Sequence, residues 1–243
     1  MTEIGLLSTL EQTELVRSGE LSSRELTEHF IERIERLDSE INAVVTRDFE
    51  VALKEADDAD EQRQKGKSVG ALHGIPITVK DALETRNLRS TGGAIELRDN
   101  VPDRDAAVVA SLRKEGAIVM GKTNLPRWSG DIQSYNEIFG TTNNPWDLSR
   151  GPGGSSGGAA AAVAMGFTSF EIGTDIGGSI RFPAAFNGIW GHKPSFGVIP
   201  TTGYLDHPKG GLNEADINVF GPLARSSTDL DFLLDIMQRN SPP

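Results

Sequence analysis

Two serine-bearing loops, GGSSGG at 153–158 and TDIGGS at 174–179, flank an alanine-rich segment. The paired glycines of the second loop allow successive backbone N–H groups to point into one concavity, where they would stabilise the oxyanion of a tetrahedral intermediate. The donors of this predicted oxyanion hole are Ile176, Gly177 and Gly178, with the N–H of Ser179 beside them. Ser179 is also predicted to open a helix, whose dipole would favour the same negative charge. The simpler interpretation is that Ser179 is a helix N-cap.

A serine nucleophile needs a base, and Lys80 is the buried candidate. It ends the apolar run IPITV and precedes Asp81, so a buried strand is expected to carry it. Burial disfavours the ammonium form and lowers the pKa of a lysine, so the neutral amine could act as a base at about pH 7. The alternative is a strand-end lysine whose amine reaches water.

Composition narrows the classes of chemistry and of partner. The 243 residues carry a formal net charge of −11, which argues against nucleic acid and anionic membranes as partners. The sequence has no cysteine, so disulfides and thiolate nucleophiles are excluded. The four histidines do not pair at metal-ligand spacing, and neither a metal nor a cofactor is expected.

The N-terminal residues lack the basic and apolar regions of a signal peptide. No apolar run reaches the length of about eighteen residues that a membrane span needs. The sequence therefore predicts a cytoplasmic protein.

Helical and strand-like segments interleave along the chain, which favours an α/β fold. A capping box from Ser22 to Glu25 opens an amphipathic helix, and a charged helix follows at about 49–65. GIPITVKD and AIVMGKTN are predicted as buried strands, with an amphipathic helix between them that ends at Gly116. An alanine helix at about 157–165, the strand FTSFEIGTD, a short helix and a C-terminal amphipathic helix complete the pattern.

The segment GAIVMGKT at 116–123 matches the phosphate-loop pattern GxxxxGK[ST]. A phosphate loop needs a strand before its first glycine and a helix after its lysine. Here a predicted helix precedes Gly116, and Pro126 stands where the following helix should continue. ATP binding is therefore a disfavoured alternative.

The segment GGSSG also fits GxSxG, the nucleophile elbow of α/β-hydrolases. That elbow needs a strand leading directly into the serine, whereas a predicted loop precedes Ser155, and His192 or His207 would have to serve as the base. A flexible linker is disfavoured too, because 11 of the 27 glycines lie between Gly151 and Gly191 and the segment leads into an apolar helix.

Several longer motifs occur together and in order: GIPITVKD, GKTNLP, FGTTNNPWD, GGSSGGAAAAVA, GTDIGGSIRFPAAFNGIWGHKPS and GPLARS. In this combination the sequence resembles the amidase signature family, serine hydrolases with a Ser–cis-Ser–Lys triad, from about Leu21 to its end. The resemblance implies that Ser179 is the acyl-forming nucleophile, Ser155 the proton-bridging serine and Lys80 the base. It also implies a cis peptide between Gly154 and Ser155.

The same resemblance implies roles for other residues. Ser129, Gly130 and Asp131 match the loop that lines the substrate site, whereas Asp175 and Arg181 would hold the GGS loop. The implied fold is α/β with a mixed central sheet flanked by helices, incomplete at its C-terminal side. An N-terminal helical segment, 1–66, is expected to pack on a catalytic core at 67–243.

Family members run to about twice this length, so the chain is expected to be either a fragment or a shortened relative, with an incomplete pocket and an apolar edge or face left uncovered. The implied reaction is hydrolysis of a small-molecule amide through an acyl-enzyme. Two alternatives are a truncated non-catalytic relative and one component of an amidotransferase. The expected protein partner is either a second copy of the chain or a different subunit.

Overall fold

The computed structural model describes residues 3–67, 70–208, 210–212, 214 and 216–238. These residues form an α/β fold, as the sequence predicts. The helices are α1 (Thr9–Ser18), α2 (Ser23–Ile41), α3 (Phe49–Gln64), α4 (Ala107–Lys114), α5 (Gly157–Ala164), α6 (Arg181–Asn187) and α7 (Ser227–Gln238). The strands are β1 (Val44–Arg47), β2 (Pro76–Lys80), β3 (Ile118–Thr123), β4 (Tyr135–Asn136), β5 (Gly140–Thr141), β6 (Phe170–Asp175), β7 (Trp190–Gly191) and β8 (Val219–Ala224).

The N-terminal helices begin where their capping residues predict. In α2 the Ser22 side chain accepts from the N–H of Glu25, and the Glu25 carboxylate accepts from the N–H of Ser22 at 2.9 Å. The apolar face of α2 is fully buried, and it joins the same hydrophobic core as the strands that follow. The division of the chain at residue 66 stays a prediction.

The strand that carries Lys80 lies in the first of two three-stranded sheets, whose order is β1-β3-β2. β2 runs parallel to β3 and pairs Lys80 with Thr123, whereas β1 runs antiparallel to β3. Every residue of β2 and β3 is buried, as the continuous apolar runs predict. Both of these strands therefore end inside the protein, at the level of Lys80.

The second sheet has the order β6-β8-β7 and is antiparallel throughout. β6 lies beside β2, which brings the end of β6 close to the end of β2. The mixed central sheet thus consists of two adjoining parts in the described residues. Helix α5 is buried against both parts, with Ala159–Val163 fully shielded from solvent.

The glycine before α5 fixes how closely this helix approaches β3. A Cβ placed on Gly158 would lie 2.5 Å from the backbone N and O of Asn124. The N–H of Gly158 also donates to the carbonyl of Asn124 at 3.1 Å. Glycine is required here for the close contact between the two backbones.

The segment that matches the phosphate-loop pattern does not form such a loop. β3 occupies residues 118–123, so the GKT residues form part of a strand. The ammonium group of Lys122 is buried and donates to the Leu83 carbonyl at 2.5 Å, to Thr85 Oγ1 at 2.6 Å and to Ser90 Oγ at 3.1 Å. Since protein atoms take all three of its protons, Lys122 has none to offer a phosphate.

Large apolar side chains are exposed around α6 and the edge strand β7. Phe186 and Trp190 are 53% and 56% exposed, and Trp146, which donates to the Asn187 carbonyl at 2.8 Å, is 75% exposed. This agrees with the expected uncovered apolar edge. No helix of the described residues is both long and apolar enough to span a bilayer.

Candidate active site

The centre of the site is the buried amine of Lys80 at the end of β2. Its Nζ donates to Ser155 Oγ at 2.8 Å, to Ser156 Oγ at 2.9 Å and to Thr174 Oγ1 at 2.7 Å. Lys80 is completely shielded from solvent, so its side chain does not reach water as the alternative interpretation required. The structure thus brings together two predicted site residues, Lys80 and Ser155, which are 75 positions apart in the chain.

The two serines beside Lys80 differ in their remaining hydrogen bonds. Ser156 Oγ also accepts from the N–H of Thr174 at 3.2 Å and donates to the Thr174 carbonyl at 3.3 Å. Ser155 Oγ has Lys80 as its single hydrogen-bond partner among the described residues. Ser155 is therefore free to pass its proton on, whereas Ser156 is fully engaged with β6. The peptide between Gly154 and Ser155 is cis, as the resemblance implied.

Burial lowers the pKa of Lys80 from its usual value to about 7, and the carboxylates of Glu171 and Asp175 oppose that shift. Glu171 is itself fully buried, and burial raises its pKa to about 7. Its carboxylate accepts from Thr123 Oγ1 and from the N–H of Ile172, each at 2.7 Å. Lys80 can therefore exchange a proton near neutral pH.

Ser179 lies beside the buried serines but is not hydrogen-bonded to Ser155 through its side chain. The N–H of Ser156 donates to the carbonyl of Ser179 at 3.2 Å, which joins the two loops through their backbones. In the described part of the chain no hydrogen bond joins the hydroxyls of Ser155 and Ser179, so the predicted continuous chain from Lys80 to Ser179 is formed in its first step alone. Ser179 is half-buried, in contrast to Ser155.

Two predictions about Ser179 and its loop need correction. Helix α6 begins at Arg181, and the residue in the N-cap position is Ile180, so Ser179 neither caps nor opens the helix. The N–H of Gly178 donates to Asp175 Oδ1 at 2.8 Å, so this donor is occupied and cannot serve an oxyanion in this arrangement. The carboxylate competes successfully because it is charged and the N–H lies within its reach.

The remaining donors of the predicted oxyanion hole differ from Gly178. Within the described residues, the N–H groups of Ile176, Gly177 and Ser179 form no hydrogen bond. Gly177 is exposed, and a Cβ placed there would meet no atom within 4 Å. These three donors therefore stay available, as predicted, on the open side of the loop.

Asp175 holds this loop in place. Besides Gly178, its carboxylate accepts from the N–H of Ile180 at 3.0 Å and from Arg181 at 2.8 Å and 3.1 Å. Burial acts to raise the pKa of Asp175, but the hydrogen bonds from Arg181, Ile180 and Gly178 outweigh it and leave the pKa below its usual value. Asp175 is thus a stable anion that anchors the predicted oxyanion loop.

The predicted substrate-lining residues divide into two groups. Gly130 and Asp131 line a surface cavity of about 440 Å³, whereas Ser129 does not, and its Oγ is buried without a hydrogen-bond partner. Residues 132–134 contact the catalytic loop directly, because Ser134 Oγ donates to the Gly153 carbonyl at 3.0 Å. This segment therefore lies between the cavity and Ser155.

No histidine takes part in the site, as far as the described residues show. The ring of His207 bonds its neighbour Asp206 at an exposed position, and no His side chain in this part of the chain hydrogen-bonds Ser155 or Ser156. A loop leads into Ser155, so the nucleophile-elbow interpretation is not supported. Across the described ranges, no three His, Asp or Glu side chains converge as metal ligands would.

Sequence reasoning missed Thr174 and Glu171. Thr174 is a direct partner of Lys80, but nothing in its local sequence distinguishes its hydroxyl from that of an ordinary strand threonine. Glu171 had one usable signal, since an acidic residue in an otherwise apolar strand needs a partner when it is buried.

A family model described as Amidase matches residues 25–243. Together with the fold and the motifs of the site, this match shows that the chain belongs to the amidase family, as the sequence resemblance predicted. The chain is 40% identical to the amidase-family component of the glutamyl-tRNA(Gln) amidotransferase of Moorella thermoacetica over 240 residues, which cover 99% of this chain and 48% of that protein. It therefore spans about half the length of this relative.

Solved structures show the same similarity. A fatty acid amide hydrolase matches with a TM-score of 0.89 and 32% identity, over 99% of this chain and 43% of that one. The peptide amidase from Stenotrophomonas maltophilia matches with a TM-score of 0.86 and 35% identity, over 95% of this chain and 47% of that one. The fold is thus that of about half of each of these enzymes.

Proposed function

We propose that this chain carries the catalytic core of an amide hydrolase that forms an acyl-enzyme on Ser179. The observation that supports this most is the buried amine of Lys80, whose pKa lies at about 7 and whose Nζ is 2.8 Å from Ser155 Oγ. A neutral lysine at this position can accept a proton that a surface lysine could not. Membership of the amidase family supports the same class of reaction.

In the proposed reaction, neutral Lys80 removes the proton of Ser155, and Ser155 removes the proton of Ser179. For this step the hydroxyl of Ser179 must turn toward Ser155 when the substrate binds, which is consistent with catalytic hydrogen bonds that tighten in the substrate complex. Ser179 Oγ then bonds to the amide carbon. The N–H groups of Ile176, Gly177 and Ser179 would receive the oxyanion.

Collapse of the tetrahedral intermediate breaks the C–N bond and leaves the acyl group on Ser179. The proton held by Lys80 returns through Ser155 to the leaving nitrogen, so ammonia or an amine departs neutral. Water then attacks the ester by the same proton path, and the acid is released. The three hydroxyls around Lys80 Nζ suit this cycle, because Ser155, Ser156 and Thr174 satisfy all protons of the ammonium form.

The test is a screen of simple aliphatic, aromatic and peptide amides for release of amine or ammonia, with wild type and Ser179→Ala compared at equal concentration. We expect turnover of at least one class of amide by wild type and none above background by Ser179→Ala. Equal turnover by the two proteins would contradict the proposal. A non-catalytic relative would show neither turnover nor a trapped acyl adduct.

A second candidate function is that of one component of an amidotransferase, because relatives described as glutamyl-tRNA(Gln) amidotransferase components are 37–41% identical to this chain. Under this proposal the ammonia released at Ser179 is used by a partner protein. Purification from the native host by an affinity tag, followed by mass spectrometry, tests it. Stoichiometric co-purification of a different protein would support it, and recovery of a monomer or homodimer that hydrolyses amides would support the first candidate.

A further inference from the structure

The surface cavity of about 440 Å³ lies on the outer side of the segment that contacts the catalytic loop. Its volume is within the range of small-molecule sites. Neither Lys80 nor either of the predicted catalytic serines lines it. The side chains that give it its character are Ile95, Pro126, Trp128, Asp131, Tyr135 and Glu137.

The cavity carries uncompensated negative charge. Asp131 and Glu137 form no ion pair with any Lys, Arg or His of the described residues, and the one cation at the rim, Arg127, is paired with Glu96. The Asp131 carboxylate is oriented by the N–H of Gln133 at 3.0 Å and by the Tyr135 hydroxyl at 3.3 Å. A positively charged ligand would find two carboxylates that no described protein group neutralises.

The aromatic walls of the cavity are also without a cation. The cation–π contacts among the described residues involve Phe49 and Phe139, and neither Trp128 nor Tyr135. The Trp128 ring is fixed, since it lies 3.3 Å from the position of a Cβ on Gly92 and the Trp128 N–H donates to the Gly92 carbonyl at 2.8 Å. Its backbone has a φ of 53°, a conformation that a bulky residue adopts when its surroundings enforce it.

The cavity is joined to the catalytic loop by a single layer of chain. A Cβ placed on Gly154 would lie 2.5 Å from the carbonyl oxygen of Gln133, so residues 132–134 pack directly on the loop that carries Ser155. Ser134 Oγ also accepts from the N–H of Gly157 at 3.0 Å. A ligand group in the cavity thus lies on the opposite side of residues that touch the site.

We propose that this cavity binds the ammonium or guanidinium group of a cationic amide substrate. Carboxylates supply charge-assisted hydrogen bonds, and indole and phenol faces attract a cation through their quadrupoles. The role in substrate selection rests on the proposed amide hydrolase function, whereas the binding of a cation by the cavity does not.

Binding is tested by isothermal titration calorimetry with pentylammonium, using 1-pentanol as the uncharged isostere. The protein is the full chain with Ser179→Ala, so that no chemistry contributes. We expect pentylammonium to bind more tightly than pentanol, and its affinity to fall by about fivefold for each of Asp131→Asn and Glu137→Gln, in line with partly exposed ion pairs. Glu35→Gln, which removes an exposed carboxylate elsewhere, is the matched control and should leave the affinity unchanged.

Equal affinity for the cation and the alcohol, or equal losses in Glu35→Gln, would overturn the cavity assignment. Because Asp131 and Glu137 are not buried, their amide variants are expected to fold, which circular dichroism checks. The affinity for pentylammonium should also weaken as salt is added, because charges near the surface are screened.

Substrate selection is tested with 5-aminopentanamide and hexanamide, which differ in one terminal group. Wild type should prefer the cationic amide in kcat/KM, and Asp131→Asn should reduce that preference by about fivefold without changing kcat/KM for hexanamide. Wild-type preference for hexanamide would contradict the selection role. Absence of turnover with both amides would count against the proposed function, while the calorimetry still decides whether the cavity binds cations.

Discussion

Ser155 Oγ lies 2.8 Å from Lys80 Nζ and has no other hydrogen-bond partner among the described residues. Ser156 Oγ lies at almost the same distance, 2.9 Å, but is also bonded to the backbone of Thr174 on both sides. The two neighbouring serines therefore have separate roles. One can transfer a proton, and the other fixes the loop to β6.

Replacement of each serine by alanine should separate these roles. Ser155→Ala removes the proton bridge and should slow acylation of Ser179 by about 10²–10⁴-fold, the range of general-base assistance. Ser156→Ala leaves the bridge in place but strands the buried N–H of Thr174, so its unfolding free energy should fall by about 1–3 kcal/mol. Acylation rates by stopped assay and denaturant unfolding curves measure the two effects. A larger rate loss in Ser156→Ala than in Ser155→Ala would contradict the assignment.

The rate of acylation should depend on the protonation of Lys80. The active form is the neutral amine, so the rate should be high above the pKa of about 7 and fall tenfold per unit as pH drops below it. Lys80→Ala should lose the rate at all pH values, whereas His192→Ala and His207→Ala should keep both the rate and its pH profile. A histidine variant that abolishes the acid limb would show that the base is not Lys80.

Glu171→Gln should move the acid limb of that profile to lower pH. The negative charge of Glu171 raises the pKa of Lys80, so its removal lowers that pKa, by up to about one unit. The profile is read from rates relative to their plateau, which makes it independent of any loss of folded protein. An acid limb that stays in place or moves upward would show that the Glu171 charge does not act on Lys80. Glu35→Gln is the control.

Gly158→Ala should destabilise the fold. Its Cβ would lie 2.5 Å from backbone atoms of Asn124, which cannot move aside as a flexible side chain can. We expect a loss of about 1–3 kcal/mol, the usual range for overpacking, measured by denaturant unfolding. Gly177→Ala is the matched control for stability, because its Cβ would meet open space. Equal stability of the two variants would contradict the close approach of α5 to β3.

Asp175→Asn should disturb the predicted oxyanion loop. An amide nitrogen cannot accept from the N–H groups of Gly178 and Ile180, and the charge that pairs with Arg181 is lost. Acylation of Ser179 should slow by at least about tenfold, since a misplaced oxyanion donor alone costs about 10²–10³-fold. Arg181→Met is the informative comparison, because it keeps the carboxylate and both backbone bonds. An Asp175→Asn rate equal to that of wild type would refute the anchoring role.

Much of the fold could be predicted because its signals are local. The capping box at Ser22, the continuous apolar runs of β2 and β3 and the glycines around α5 each specify their own segment. β1 and β8 were not predicted, because a strand of four or six residues without alternation is not distinguishable from a loop or buried segment.

The site was predictable where the motifs are specific and not where geometry decides. The residues Lys80, Ser155 and Ser179 follow from the motifs, but the partnership of Thr174 with Lys80 depends on how β6 meets β2. The loss of Gly178 as a donor could not be predicted either. It depends on the reach of the Asp175 carboxylate, which the pattern TDIGGS does not reveal.

The central claim is that Ser179 is the nucleophile and that Lys80 and Ser155 activate it. The most direct measurement is mass spectrometry of the intact chain and of its peptides after reaction with a fluorophosphonate. We predict one adduct, on the peptide that contains Ser179, which disappears in Ser179→Ala and forms much more slowly in Lys80→Ala. An adduct on Ser155 or Ser156 in wild type, or an undiminished adduct in Ser179→Ala, would contradict the account.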